Sequence, residues 1–224
     1  MLIDGSRRRW CPTLLAALLA TLISCAAPMA LHAQGLFTQF NLAVAADRTD
    51  EVAALLARGM DPNTVDLNGD PALVVAARLG YEATLDVLLR GGAKVNARNR
   101  FGDSAIMVAA IGGQLAIVKK LVARGAAINA DGWTPLMYAA TGGRDEVVRY
   151  LLEAGAKVDA EGPNGITALM MAVRGGKANT VSLLLAKGAS VNHRSENGSS
   201  ALMWAQRGGF ESIEKELRQR GARE

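Results

Sequence analysis

The two residue types that build most catalytic and metal sites are almost missing from this sequence of 224 residues, which has two histidines and two cysteines. The histidines, His32 and His193, lie far apart in the chain, so no pair has metal-ligand spacing. His193 falls in a loop, where a lone imidazole is expected to be solvated. The cysteines, Cys11 and Cys25, both sit near the N-terminus. A chain processed beyond them has no disulfide, no thiolate nucleophile and no thiolate metal site. Aromatic residues make up only 4% against 50% hydrophobic. The apolar content is therefore mostly Ala, Leu, Val and Met, which apart from Val are helix formers. No glycine-rich phosphate loop follows a strand pattern, and the acidic residues are scattered over helix starts and solvent faces. Without a nucleophile, base or metal constellation, neither catalysis nor a cofactor is expected.

A long hydrophobic run is also lacking. The most apolar stretch, Thr13 to Ile23, falls short of the about 20 residues that span a bilayer. It follows Arg7, Arg8 and Arg9, the sequence's one basic run, and the combination reads as a secretory signal. Two processing sites compete. Leu31-His32-Ala33 before Gln34 resembles a signal-peptidase site, giving a signal of residues 1–33 and a domain of 34–224. Leu22-Ile23-Ser24-Cys25 resembles a lipobox, with Cys25 as the lipidated residue and a lipid anchor as the one membrane attachment. An uncleaved N-terminal anchor is the third reading. The expected location is periplasmic or secreted, or else membrane-anchored through Cys25. The formal charge of +4 and pI near 9.3 hint at an acidic partner, but removing residues 1–33 takes away three Arg and one Asp and leaves 22 basic against 20 acidic residues. Nucleic-acid binding is therefore not expected.

What the sequence does have is glycine at a fixed interval. Gly59, Gly92, Gly125, Gly155, Gly188 and Gly221 are separated by 33, 33, 30, 33 and 33 residues, and each closes a Leu- or Val-containing segment. Twelve residues upstream of each runs a second series: Asp47, Gly80, Gly113, Gly143, Gly176 and Gly209. Such positions end helices, because the residue after a helix often turns left-handed, which suits Gly and is tolerated by Asp. Each interval thus predicts two short helices. The first runs over Pro71–Arg78, Ser104–Ile111, Thr134–Thr141, Thr167–Arg174 and Ser200–Arg207. The second runs over Ala83–Arg90, Leu115–Ala123, Asp145–Glu153, Ala178–Ala186 and Glu211–Gln219. Neither is long enough to persist alone in water, so they must stack. Thr134, Thr167, Ser104 and Ser200 are placed to cap the first helices, and Asp70 is expected to do so before Pro71.

Asp131-Gly132-Trp133-Thr134-Pro135-Leu136-Met137-Tyr138-Ala139-Ala140 resembles the ankyrin-repeat pattern of a turn followed by Thr-Pro-Leu-His-x-Ala. Looser copies begin at Gly165 and Gly198, and the closing pattern Leu151-Leu152-Glu153-Ala154-Gly155-Ala156-Lys157-Val158-Asp159 recurs in copies ending at Asn63, Asn96, Asn129 and Asn192. The resemblance implies an all-α ankyrin-repeat solenoid of about six helix-turn-helix repeats with short hairpin fingers, at about 36–65, 66–98, 99–130, 131–161, 162–194 and 195–224. The first repeat lacks the turn motif and reads as a cap. The last second helix has one charged face, which closes the stack against water.

By the same resemblance the chain is expected to be a monomer that binds a partner protein through a concave face of fingers and first helices. The positions implied are Asn68, Asp70, Arg78 and Leu79 in the second repeat, and Arg100, Phe101, Asp103 and Ile111 in the third. They continue with Trp133 and Thr141 in the fourth, Asn164, Ile166 and Arg174 in the fifth, and Glu196, Asn197, Ser199 and Arg207 in the sixth. Phe101, Ile111, Trp133 and Ile166 are the expected apolar anchors. Arg78, Arg174 and Arg207 recur at one place per repeat, as a basic stripe or as solvated helix ends.

Two departures stand out. The motif's His is replaced by Val74, Met107, Met137, Met170 and Met203. This methionine ladder reads as core packing, the alternative being a thioether site for Cu(I) or an oxidant trap in an exported protein. The interval of 30 residues also removes three residues from one finger, between Asn129 and Gly132. That finger should be blunt, either as a notch floored by Trp133 or as neutral loop variation.

Overall fold

The computed structural model describes residues 34–223, so the expected signal, both cysteines and the two expected processing sites lie outside the described residues. Among the described residues twelve α-helices follow one another in six pairs: α1 (34–45) with α2 (Thr49–Ala57), α3 (Ala72–Leu79) with α4 (Glu82–Arg90), and α5 (Ala105–Gly112) with α6 (Leu115–Ala123). They continue with α7 (Pro135–Gly142) and α8 (Asp145–Glu153), α9 (Ala168–Arg174) and α10 (Ala178–Ala186), and α11 (Ala201–Arg207) and α12 (Glu211–Gln219). First helices pack on first helices and second on second along the array. No strand is present among the described residues; the fingers carry isolated bridges instead, at Val65–Pro71, Arg98–Ser104 and Arg194–Ser200.

The two glycine series end helices as expected. All have positive φ, from 65° at Gly176 to 95° at Gly155, and Asp47 takes the same region at 54°. The first helices begin one residue later than the sequence suggests, because the Ser and Thr stand outside as caps. Thr134, Thr167 and Ser200 accept from the N–H three residues on, at 3.3, 3.5 and 3.2 Å. The second repeat departs from this. Pro71, not Asp70, occupies the cap position and offers no side-chain bond.

The interior is made of small and branched aliphatic residues along every helix pair. Met107, Met137 and Met170 are each 1% exposed, and only the terminal rung, Met203, is half-buried. The ladder is therefore core over most of its length. Gly162 makes room for it: a Cβ there would sit 2.9 Å from Met137 Sδ.

Polar ladders hold the repeats in register. Asn96 accepts from Ala127 N–H at 2.8 Å and donates to Gly125 O at 3.2 Å. Asn129 does the same with Lys157 N–H and Gly155 O, at 2.9 and 2.8 Å, and Asn192 with Arg223 N–H and Gly221 O, at 2.8 and 3.0 Å. Asn63 accepts from Lys94 N–H and Asp159 from Ser190 N–H. Each rung satisfies backbone groups left over where a second helix ends.

Candidate binding face

Two positions recur along the side formed by fingers and first helices. One follows the finger glycine: Asp70, Asp103, Trp133, Ile166 and Ser199. The other lies eight residues on, at or near the end of the first helix: Arg78, Ile111, Thr141, Arg174 and Arg207. Both positions change residue type from repeat to repeat.

The second repeat closes on itself. Asp70 is only 6% exposed and takes both guanidinium nitrogens of Arg78, at 2.6 and 3.1 Å. Asn99 of the next finger donates to Asp70 Oδ1 at 2.7 Å. The Arg78 hydrogen bond, helped by Asn99 and opposed by burial, holds the Asp70 carboxyl below its usual range. Asp70, expected at the surface, thus has its side chain turned inward, because a carboxylate flanked by two donors is better satisfied there than in water. Arg78 in turn is not part of a free basic stripe. Ser199 is buried as well, at 5%, and its carbonyl accepts from Ser195 within the last finger.

The middle of the array is open. Asp66–Asp70, Asn99–Asp103, Gly162–Ile166 and Ser195–Ser199 each close a finger with one backbone N–H to carbonyl bond, at 2.8 to 3.0 Å. Among the described residues the fourth repeat has no counterpart: Asn129 stands where both the ladder and the finger rung fall, and it serves the ladder. The finger is blunt as expected. Beside it lies a cleft of about 170 Å³ lined by Ile111, Trp133, Tyr138, Thr141, Met171 and Arg174.

Trp133 meets Tyr138 edge-on at 6.5 Å and 86°, a favourable aromatic geometry. The Tyr138 hydroxyl donates to Asp103 Oδ1, and burial together with that bond raises the phenol above its ordinary value. Tyr138 is thus a fixed wall rather than an acid or base at physiological pH. Thr141 turns its hydroxyl back onto Met137 O at 2.7 Å, leaving its methyl to the cleft. Arg174 is exposed at the rim and makes no ion pair among the described residues. The structure brings Ile111, Trp133, Thr141 and Arg174 together as lining residues; Tyr138 and Met171 complete the set and were not expected. Tyr138 and Met171 hold the same place in successive repeats, one after the motif's missing His, where Val75 and Val108 stand in the second and third; the stacking of α9 on α7 brings the two to one cleft.

A second hollow, of about 370 Å³, lies among the last fingers and gathers Asn164, Ile166, Glu196 and Asn197 with Ser195 and Trp204. Asn164 has φ 61° there, and its carbonyl accepts from Glu196 N–H at 2.9 Å. His193, expected to be solvated, is half-buried, with Nε2 2.8 Å from Gly165 O. At the other end the fingers expose apolar side chains. Leu67, not anticipated, is 95% exposed beside Asn68, and Phe101 is 71% exposed beneath Arg100, whose guanidinium sits 4.8 Å from the ring. Leu79, 47% exposed, lies beyond the Asp70–Arg78 pair. The described residues contain no cluster of three or more His, Cys, Asp or Glu placed to hold a metal. No helix among them is long and apolar enough to cross a membrane.

Comparison with known proteins agrees with this architecture. No curated protein matches the chain significantly. The family described as ankyrin repeats in three copies matches residues 85–162 and 157–223, and the single ankyrin repeat matches 68–100. With helix pairs, finger turns and family matches running over most of its length, the chain belongs to the ankyrin repeat family.

Proposed function

We propose that this chain is an exported, monomeric scaffold that binds a partner protein on its concave face, with the contact centred on the cleft under the blunt finger. Ankyrin repeats in general mediate protein–protein interaction and are non-catalytic. The observation that carries the reading here is the cleft itself. Exposed Ile111 and half-buried Trp133 and Tyr138, over a floor that includes the buried Met171, line it with apolar surface at the middle of the array, beside the shortened finger. A half-buried indole beside a fixed phenol offers large contact area at small entropic cost, which is the usual make-up of an interface hot spot.

The test is Trp133→Ala, followed by thermal melting and by affinity for a partner captured from the envelope fraction of the native cell. Binding should weaken by about 2 kcal/mol or more while the melting temperature stays close to wild type. A large drop in melting temperature with unchanged affinity of the folded fraction would make Trp133 a prop for the finger and move the contact to Phe101 and Ile166. Export is tested separately. Mass spectrometry of the native protein should find Gln34 at the N-terminus, or a lipid-modified Cys25. An intact Met1 on the bulk of the material would place the protein inside the cell.

A further inference from the structure

We infer that the partner segment is extended and carries an apolar side chain next to an acidic one, with a second acidic side chain about three residues further on. This rests on the concave-face reading above and adds the partner's chemistry. The chain itself shows how an arginine at the end of a first helix is satisfied: Arg78 binds the Asp70 carboxylate with two nitrogens, at 2.6 and 3.1 Å. Arg174 and Arg207 occupy the same place in the fifth and sixth repeats. Where Arg78 finds Asp70, eight residues earlier, Arg174 has Ile166 and Arg207 has Ser199. Both arginines are exposed, and neither makes an ion pair among the described residues.

The carboxylates that the scaffold omits are left for a partner to supply. Guanidinium forks prefer that geometry, and a carboxylate brought to them adds direction as well as charge. The apolar residue belongs beside the first acid, because Arg174 stands on the rim of the cleft formed by Ile111, Trp133 and Met171. The second acid belongs one repeat away. Packed helices are roughly 10 Å apart, and an extended chain rises about 3.3 Å per residue, which gives about three residues per repeat. An apolar cleft beside the cations favours a protein segment over a nucleic acid, whose charges come without an aliphatic side chain at this spacing.

The test uses the protein as its native cell processes it and fluorescein-labelled dodecapeptides of Gly and Ser. One peptide carries a single Leu followed by Glu, with a second Glu three residues later; the others replace both Glu by Gln, or Leu by Ser. Fluorescence anisotropy should show the Leu–Glu peptide binding at least about tenfold tighter than either control, with the margin over the Gln peptide shrinking at high salt. Arg174→Gln should reduce the preference for Glu, and Arg174→Gln with Arg207→Gln should erase it, both keeping the preference for Leu; Ile111→Ser should weaken the preference for Leu and keep that for Glu. All three positions are exposed, and melting curves should overlay wild type. Equal binding of the Glu and Gln peptides, no binding of any peptide at millimolar concentration, or a preference undiminished by Arg174→Gln or surviving the double arginine variant overturns the inference. So does an oligothymidylate that displaces the peptide as well as unlabelled peptide does, which would point to nucleic acid. None of these outcomes bears on Trp133→Ala and the captured partner, so the two readings can fail separately.

Discussion

The second and fifth repeats place an arginine at the same point of the same helix and treat it differently. In the second, Asp70 and Asn99 enclose the charge, and Arg78 becomes part of the scaffold. In the fifth, Ile166 stands in the acid's place and Arg174 is left at the edge of an apolar cleft. One substitution eight residues upstream therefore decides whether a cation holds the finger or faces outward. Surface chemistry in this array is set at a few register positions while helices, glycines and asparagine rungs repeat beneath them.

The comparison depends on a core rigid enough to keep those positions in register, and breaking that core should have the largest effect. Met137 is 1% exposed and packs beside Gly162 of the fifth finger. Met137→Ala should cost about 2–4 kcal/mol by denaturant unfolding, the range for a buried large-to-small change. Met203→Ala, at the half-buried terminal rung, should cost clearly less. Equal stability of Met137→Ala and wild type, together with lost copper binding or peroxide protection, would return the ladder to metal or oxidant chemistry.

A smaller loss is expected from opening the closed repeat. Asp70→Asn removes the charge that pairs with Arg78 while nearly keeping the shape. It should destabilise by about 1–2 kcal/mol, a charge-assisted bond discounted for an arginine side chain that is 44% exposed. The native Asp70 carboxyl lies below its ordinary value of 3.8, so its contribution is fully present above that value and fades as pH falls from there through the lowered native one. The variant should therefore lose less stability than wild type on acidification below about pH 4. Parallel acid limbs for the two proteins would show that the pair is formed but carries no weight.

How much of this was legible in the sequence follows the distance over which each feature is determined. The glycine series ends helices locally, and the helix pairs followed from it to within a residue at most boundaries. The blunt finger was legible too, since three missing residues shorten any turn. Asp70 was misplaced because a Ser/Thr-like cap is a local inference, whereas the donors that capture it lie on α3 and on the next finger. The asparagines ending each repeat were visible as letters without a role. Their partners are backbone groups about thirty residues on, and backbone leaves no mark in a sequence. Met171 joined the cleft for the same reason, through the stacking of α9 on α7.

The smallest stability change should come from writing the second repeat's arrangement into the fifth. Ile166 is half-buried and packs against the core, so Ile166→Asp gives up apolar contact of about 1 kcal/mol. Pairing with Arg174 returns about 0–1 kcal/mol at an exposed site, leaving the melting temperature close to wild type. Ile166→Asn loses the same apolar surface without the charge and should melt slightly lower than Ile166→Asp. The double variant Ile166→Asp, Arg174→Gln should lose that advantage, which isolates the pair from the packing change. Peptide binding then reads the comparison directly. Once Arg174 has a carboxylate of its own, preference for a Glu peptide over its Gln counterpart should fall as far as in Arg174→Gln, while Ile166→Asn retains it. If Ile166→Asp keeps the full preference, the guanidinium at this position does not choose between its own finger and a partner, and the contrast between the two repeats is one of sequence alone.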